Sequence, residues 1–236
     1  MLPYVFLLLF AAAAAVNLVG AKKGNAVLPN VSKPALLPCL CLYCLSVTYP
    51  EPDILLICAL AACWLGDVLL MLKSEIWFAA GGVSFFAGHV LLIFVFSNRL
   101  GSQYGVFGAV TGFSLIYAAA ACAVIFMTRK KAPKIMLIPM LLYLLCNGVM
   151  NAFALLCLIR SDGMAMHTPG PEEIRQTVCC AVSVIGALLF FISDCALFLQ
   201  KYGGEKQRFY KSDFFVMLTY ISGVCLITIG LAPVWG

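Results

Sequence analysis

The chain has 236 residues, of which 64% are hydrophobic and only 11% are charged, and its mean hydropathy is +1.04. Soluble domains are roughly half apolar and about one quarter charged, so this composition excludes an ordinary soluble domain and a disordered chain. The net charge of +5 does not indicate a nucleic-acid partner, because the basic residues lie in short breaks between long apolar runs. This pattern predicts an all-α, polytopic membrane protein.

Eight apolar segments follow one another, and each is predicted to form a transmembrane helix. Their expected bounds are 3–21, 34–49, 53–72, 76–96, 105–127, 134–159, 174–200 and 213–234. The second segment is short for a bilayer and contains Pro34 and Pro38, so we expect it to be kinked or to cross only partly. Lys22 and Lys23 follow the first segment and no basic residue precedes it, which favours a retained helix over a cleaved signal peptide.

The basic residues divide unevenly between the two ends of these helices. The loops after the first, third, fifth and seventh segments carry all but three of the 15 Lys and Arg residues. The three exceptions, Arg99, Arg160 and Arg175, lie on the other side. Cytoplasmic loops are enriched in Lys and Arg, so we expect basic loops in the cytoplasm and both termini outside it, in a bacterial-type inner or cell membrane.

Two sequence similarities indicate an internal repeat of four helices. SKPALLPCLCLY at 32–43 and PKIMLIPMLLY at 133–143 share a Lys, a Pro and a Tyr in the same order. LGDVLLML at 65–72 and ISDCALFL at 192–199 share a small residue followed by Asp and an apolar run. Chance similarity between apolar helices is the alternative interpretation.

The repeat predicts one integral membrane domain with halves of approximately 1–100 and 101–236. Four spans per half is an even number, so the two copies would be parallel and related by an axis along the membrane normal. Asp67 and Asp194 would then share a depth of roughly 9–10 Å from the cytoplasmic end and face each other. A carboxylate in a bilayer is costly and indicates function, although each Asp could instead bond a neighbouring helix.

Other polar side chains lie inside the predicted helices. Tyr143 and Tyr220 could donate hydrogen bonds to a carboxylate, or could pack as ordinary aromatic residues. His89 lies about 10 Å deeper than the aspartates and either lines a site or makes a structural hydrogen bond. Lys33 is expected where the second segment begins, where it would bind a phosphate or extend its ammonium group to the membrane surface.

Asn147 and Asn151 lie one helical turn apart and either line the same polar seam or bridge helices. The twelve cysteines lie mostly in apolar runs, where cysteine acts as a small hydrophobic residue, so no disulfide framework is predicted. Cys39, Cys41 and Cys44 are close in sequence, but no histidine is near them. We therefore expect no metal site. The absence of GxSxG, HExxH and Walker motifs argues against a serine lipase and an ATP-driven pump.

Four motifs occur in order along the chain: WLGDVLLML at 64–72, FFAGHVLLIF at 85–94, GALLFFISDCAL at 186–197 and VMLTY at 216–220. In these motifs the chain resembles the YhhN, or lysoplasmalogenase-like, membrane family. The Ser-Lys-Pro that begins at Ser32 and the stretch from Tyr143 to Met150 also fit, so the resemblance covers nearly the whole chain.

The resemblance implies hydrolysis of the vinyl ether bond of lysoplasmalogens, which yields a fatty aldehyde and glycerophosphoethanolamine or glycerophosphocholine. It also implies that Asp67 and Asp194 match the acidic positions of the family, and that Lys33, His89 and Tyr220 match its other polar positions. Two departures are visible. Ile221 stands where a second tyrosine often follows, and the loop from Ser161 to Gln176 is longer than usual.

The chemistry of vinyl ether hydrolysis suits a pair of aspartates. Proton transfer to carbon produces an oxocarbenium ion that water captures, as in glycoside cleavage by two carboxyl groups. Our hypothesis assigns Asp194 as the proton donor and Asp67 as the stabiliser and water activator, without metal or cofactor. The sequence leaves the reverse order of the two aspartates open. Lys33, together with Lys134, would hold the phosphate. The predicted substrate-binding residues are Lys33, His89, Tyr143, Asn147 and Tyr220.

The expected partners are the lysophospholipid substrate and membrane lipids, with no obligate protein partner. A proton-coupled transporter or a lipid flippase using the same aspartates is the alternative. A non-catalytic lipid-binding protein is a third possibility.

Overall fold

The computed structural model of the chain describes residues 2–25, 27–72, 74–100, 106–161, 170–203 and 212–232. Every regular element in these residues is a helix, so the all-α prediction is confirmed. The eight helices are α1 (Leu2–Lys23), α2 (Val27–Val47), α3 (Ile54–Leu70), α4 (Glu75–Leu100), α5 (Val106–Thr128), α6 (Lys134–Ser161), α7 (Pro171–Tyr202) and α8 (Asp213–Leu231).

Seven of these helices are long and apolar enough to cross a membrane, as judged by their length and composition. The exception is α3, which has 17 residues. At 1.5 Å per residue α3 is about 25 Å long, a few ångströms less than the hydrocarbon core of a typical bilayer. The chain is therefore a multi-pass membrane protein, whereas eight complete spans, the side on which the termini lie and the type of membrane stay predictions.

The expectation of a short second segment is wrong. Helix α2 has 21 residues and begins at Val27, about two turns before the predicted start, and both prolines lie inside it. The polar residues that suggested a loop have partners at the interface with α1. Ser32 Oγ donates to Leu28 O at 2.8 Å, and Asn17 Nδ2 of α1 donates to Ser32 Oγ at 3.1 Å. Because their polar groups are bonded, these residues continue the helix.

The chain divides into two compact units. The first contains α1, α2, α3 and α4 as far as Val95, together with Ala232, and the second extends from Phe96 to Leu231. The single-domain organisation and the relation of its halves by a repeat stay predictions.

In the first unit, small residues bring the helices close together. A Cβ atom added to Gly20 of α1 would lie 2.6 Å from Pro29 Cδ of α2, and one added to Gly66 of α3 would lie 2.6 Å from the Phe85 ring of α4. Likewise, a Cβ atom at Gly88 would lie 2.7 Å from a cysteine sulfur of α3. No larger side chain fits at these contacts without displacement of a neighbour. In hydrocarbon, where there is no hydrophobic drive between helices, such close packing provides the attraction.

In the second unit, glycines also bring α7 and α8 close together. An added Cβ atom at Gly186 would lie 2.6 Å from Ile227 N, and one at Gly223 would lie 2.8 Å from Phe190 N. Main chain therefore lies against main chain along this interface. The contact holds the segment of α7 before Asp194 rigidly against α8.

Candidate functional site

Asp194 is a buried carboxyl group with two hydrogen-bond donors on one oxygen. Asp194 is only 5% exposed to solvent. Tyr143 Oη donates to Asp194 Oδ2 at 2.8 Å, and Asn147 Nδ2 donates to the same atom at 2.6 Å. The two donors are four residues apart on α6, so they lie on one face of that helix. An oxygen that accepts two hydrogen bonds has both lone pairs engaged.

The hydrogen bonds extend to a fourth residue, Asn151, one turn further along α6. Asn151 Nδ2 donates to Asn147 Oδ1 at 2.9 Å and to the main-chain Asn147 O at 3.0 Å. Asn147 and Asn151 are both almost fully buried. We call Asp194, Tyr143, Asn147 and Asn151 the Asp194 cluster. Its hydrogen bonds run in one direction, from Asn151 through Asn147 to the carboxyl group.

Aromatic contacts fix two of the predicted tyrosines, one of which belongs to this cluster. The Tyr143 ring packs edge-on against Phe198 with the centroids 5.5 Å apart, which limits rotation of the ring that carries the donor. Tyr220 is buried on α8, and its ring packs edge-on against Phe190 at 5.3 Å. Ser193 Oγ donates to Val216 O of α8 at 3.0 Å. That Tyr220 donates to a carboxylate stays a prediction.

Asp67 lies on α3 and is 1% exposed. Lys33 Nζ lies 3.1 Å from Asp67 Oδ1, and the Lys33 side chain is 15% exposed. We call these two residues the Asp67 cluster. Lys33 is in the second turn of α2 rather than at the start of the helix, because α2 begins earlier than predicted. The predicted alternatives for Lys33 were a phosphate or the membrane surface, and the structure gives it an ion pair inside the protein.

A hydrogen bond next to Lys33 holds α2 against α3. Pro38 has no N–H group, so it cannot bond the carbonyl of Pro34 four residues earlier. Trp64 Nε1 of α3 donates to Pro34 O at 2.9 Å instead. In a membrane helix, side chains of neighbouring helices commonly satisfy carbonyl groups that a proline leaves unbonded. Sequence reasoning did not find this role of Trp64, although the spacing of the two prolines predicts an unbonded carbonyl.

His89 lies on α4 and is completely buried. It follows Gly88, which packs against Cys63 of α3. Its predicted role in lining a site stays a prediction. Sequence reasoning also missed Asn17, which is completely buried on α1 and donates to Ser32 Oγ. Its signal is a lone amide within an apolar run.

The observed contacts of the two clusters differ. Asp67 lies within ion-pair distance of an ammonium group, whereas the two donors on Asp194 Oδ2 are a phenol and an amide. The roles of the two aspartates in proton transfer stay predictions.

The thiols and the candidate metal ligands of the described residues form no metal site. All the cysteines are free thiols. Among the described residues, no three His, Cys, Asp or Glu side chains lie together in a way that could hold a metal ion.

Of the two departures from the family pattern, the structure describes one completely and the other in part. Ile221 is buried in α8. Half of the stretch from Ser161 to Gln176, residues 162–169, lies outside the described residues, and its last six residues form the start of α7.

Comparison with known proteins gives one match. No curated protein and no solved structure matches the chain. The model of the YhhN family matches residues 28–231, a range that includes both clusters and all of α2 except its first residue. Since the match covers most of the 236 residues, the chain belongs to the YhhN family.

Proposed function

We propose that the chain is a lysoplasmalogenase-like hydrolase. It cleaves the vinyl ether bond of a lysoplasmalogen and releases a fatty aldehyde and glycerophosphoethanolamine or glycerophosphocholine. Membership of the YhhN family supports this class of reaction. The observation that carries the proposal is the buried carboxyl group of Asp194, which accepts hydrogen bonds from Tyr143 and Asn147 on a single oxygen.

The reaction needs one proton donor, one proton acceptor and water. The acid protonates the alkenyl carbon that is not bonded to oxygen, and the neighbouring carbon becomes an oxocarbenium ion. Water adds to that carbon and loses a proton to the base, which gives a hemiacetal. The hemiacetal hydroxyl then loses its proton and becomes the aldehyde carbonyl, the carbon–oxygen bond to glycerol breaks, and the glycerol oxygen takes up a proton. One water molecule is consumed, and no electron donor or acceptor is needed.

We assign Asp194 as the acid. Tyr143 and Asn147 both donate to Oδ2, so the proton of the acid form is carried by Oδ1. Oδ1 is then the atom that delivers the proton to carbon. This step needs the protonated form of Asp194. Tyr143 and Asn147 therefore orient the acid, which refines the substrate-binding role that we predicted for them.

We assign Asp67 as the carboxylate that stabilises the cation and accepts the proton of water. The Lys33 ammonium group lies 3.1 Å from Asp67 Oδ1, where it balances the charge of the carboxylate. An ammonium group carries three donors, so Lys33 can contact both Asp67 and a phosphate oxygen of the substrate. We keep His89 and Tyr220 as proposed substrate-binding residues. The reaction assigned here uses no metal and no cofactor.

The test uses the full chain, purified in detergent and incubated with an alkenyl lysophospholipid or with its ester analogue. Fatty aldehyde from the alkenyl lipid alone is expected. Asp194→Asn and Asp67→Asn should each lower kcat by about 100-fold or more, the usual contribution of an acid or base. Asp213→Asn is the matched control, because Asp213 is exposed at the start of α8 and should leave kcat within about twofold. Full activity in both Asp194→Asn and Asp67→Asn would refute the mechanism.

The alternative function is a proton-coupled transporter or a lipid flippase. The observation that favours it is the presence of two buried carboxyl groups with polar partners in membrane helices, which is also typical of proton pathways. This alternative predicts no aldehyde at any protein concentration, and it predicts proton flux coupled to lipid movement in liposomes. A lipid-binding protein without catalysis would give neither signal.

A further inference from the structure

The amide group of Asn147 sits between two partners and can take two orientations. In the structure its Nδ2 donates to Asp194 Oδ2 at 2.6 Å, and its Oδ1 accepts from Asn151 Nδ2 at 2.9 Å. A rotation of the amide by half a turn would exchange these atoms. Oδ1 of Asn147 would then face Asp194 Oδ2, and the two Nδ2 groups would face each other.

The contacts of Asn151 decide between these orientations. The two hydrogens on Asn151 Nδ2 are directed to Asn147 O and Asn147 Oδ1. The first acceptor is a main-chain carbonyl, which cannot change into a donor, so Asn151 must present nitrogen toward Asn147. Opposite that nitrogen, only the oxygen of the Asn147 amide makes a hydrogen bond. While Asp194 Oδ2 carries no proton, a flipped amide would lose two buried hydrogen bonds, each of which is costly to leave unmade.

We propose that Asn151 is a positioning residue for the acid. It holds the Asn147 amide with its donor toward Asp194 Oδ2, and it thereby confines the proton of Asp194 to Oδ1. The catalytic part of this inference rests on the proposed function, whereas the effect on the carboxyl group does not. Without Asn151 the amide can flip, and its Oδ1 can then accept a hydrogen bond from a protonated Oδ2, so that the proton of the acid is no longer confined to Oδ1.

A purely structural role for Asn151 makes different predictions. In that case its bond to the carbonyl four residues earlier would only stabilise α6, as Thr228 Oγ1 does with Val224 O in α8 at 2.7 Å. Thr228 is completely buried as well. Thr228→Val therefore serves as the matched control for loss of a buried side-chain bond to the preceding turn.

The kinetic experiment compares Asn151→Leu, Asn147→Leu and the double variant in the aldehyde assay. Leucine has nearly the shape of asparagine but lacks the donor. We expect Asn151→Leu to lower kcat by about tenfold and to change KM by less than about twofold. The double variant should be no slower than Asn147→Leu alone, because Asn151 acts through Asn147. Thr228→Val should keep the wild-type kcat. Additive losses in the double variant would overturn the proposal.

A second measurement does not depend on activity. The infrared bands that disappear in Asp194→Asn belong to the Asp194 carboxyl group, and we expect Asn151→Leu and Asn147→Leu to shift them in the same direction. Unchanged bands in Asn151→Leu would overturn the inference. If the wild type produces no aldehyde but these bands shift, the proposed function fails while the positioning role stands. Asn151→Ala is the second variant if Asn151→Leu does not fold, with the same expected shift.

Discussion

Removal of the Lys33 ammonium group tests whether the ion pair with Asp67 holds the first unit together. At the observed separation of 3.1 Å, two unit charges attract by about 5 kcal/mol at an effective dielectric constant of about 20. Desolvation of both groups offsets part of this attraction, and removal of one partner of a buried pair typically costs 3–5 kcal/mol. Lys33 is 15% exposed and Asp67 has further contacts, so we expect Lys33→Met to cost about 3 kcal/mol.

The double variant Lys33→Met/Asp67→Leu separates this effect from a loss of packing. Replacement of both partners by apolar residues is often neutral, so the double variant should recover most of the stability that Lys33→Met loses. The assay is reversible unfolding in detergent micelles, with Lys22→Met at the end of α1 as the control for removal of an exposed lysine. An effect of Lys33→Met below about 0.5 kcal/mol, or a double variant no more stable than Lys33→Met, would refute the reasoning.

Three further predictions follow from single contacts. Tyr143→Phe removes one hydrogen-bond donor from Asp194 and should lower kcat by about tenfold. Tyr117→Phe on α5 is the control and should leave kcat unchanged. A similar loss of kcat in both variants would contradict the role of the Tyr143 phenol. Gly186→Ala should destabilise the protein by about 1–3 kcal/mol, because main chain of α8 lies 2.6 Å from the added Cβ atom. In the same unfolding assay Gly82→Ala should be neutral or stabilising, because its Cβ atom meets nothing within 4 Å. Trp64→Phe should cost about 1 kcal/mol by unfolding, because it leaves a proline-freed carbonyl of α2 without its indole donor; no change would show that this carbonyl is otherwise satisfied.

The proposed reaction uses two carboxyl groups that have different observed contacts. Asp67 has an ammonium group at 3.1 Å, and Asp194 Oδ2 accepts from a phenol and an amide. A hydrolase that protonates carbon requires a proton donor and a carboxylate. Two buried carboxyl groups would also serve a proton-coupled transporter, so aldehyde formation is the measurement that separates the two functions.

The helices could be predicted from composition because hydrocarbon offers the main chain no hydrogen-bond partners. In a bilayer each main-chain N–H and C=O group must be bonded within the protein, so a long apolar run forms a helix. The eight predicted segments correspond to the eight helices for this reason. The start of α2 was missed because hydropathy registers the polarity of Ser32 and Lys33 but not the partners that satisfy them. Those partners, Asn17 and Asp67, come from other helices.

The sequence by itself determined which residues are chemically unusual. A carboxyl group, an amide or a lysine inside an apolar run is expensive wherever the helix is placed, so Asp67, Asp194, Lys33 and Asn147 could be singled out without coordinates. Only the tertiary structure decided which of these groups are bonded to each other. That choice depends on the rotation and the register of neighbouring helices, which small residues such as Gly186 set through contacts of a few ångströms. Periodicity along one helix carries no information about such contacts with another helix.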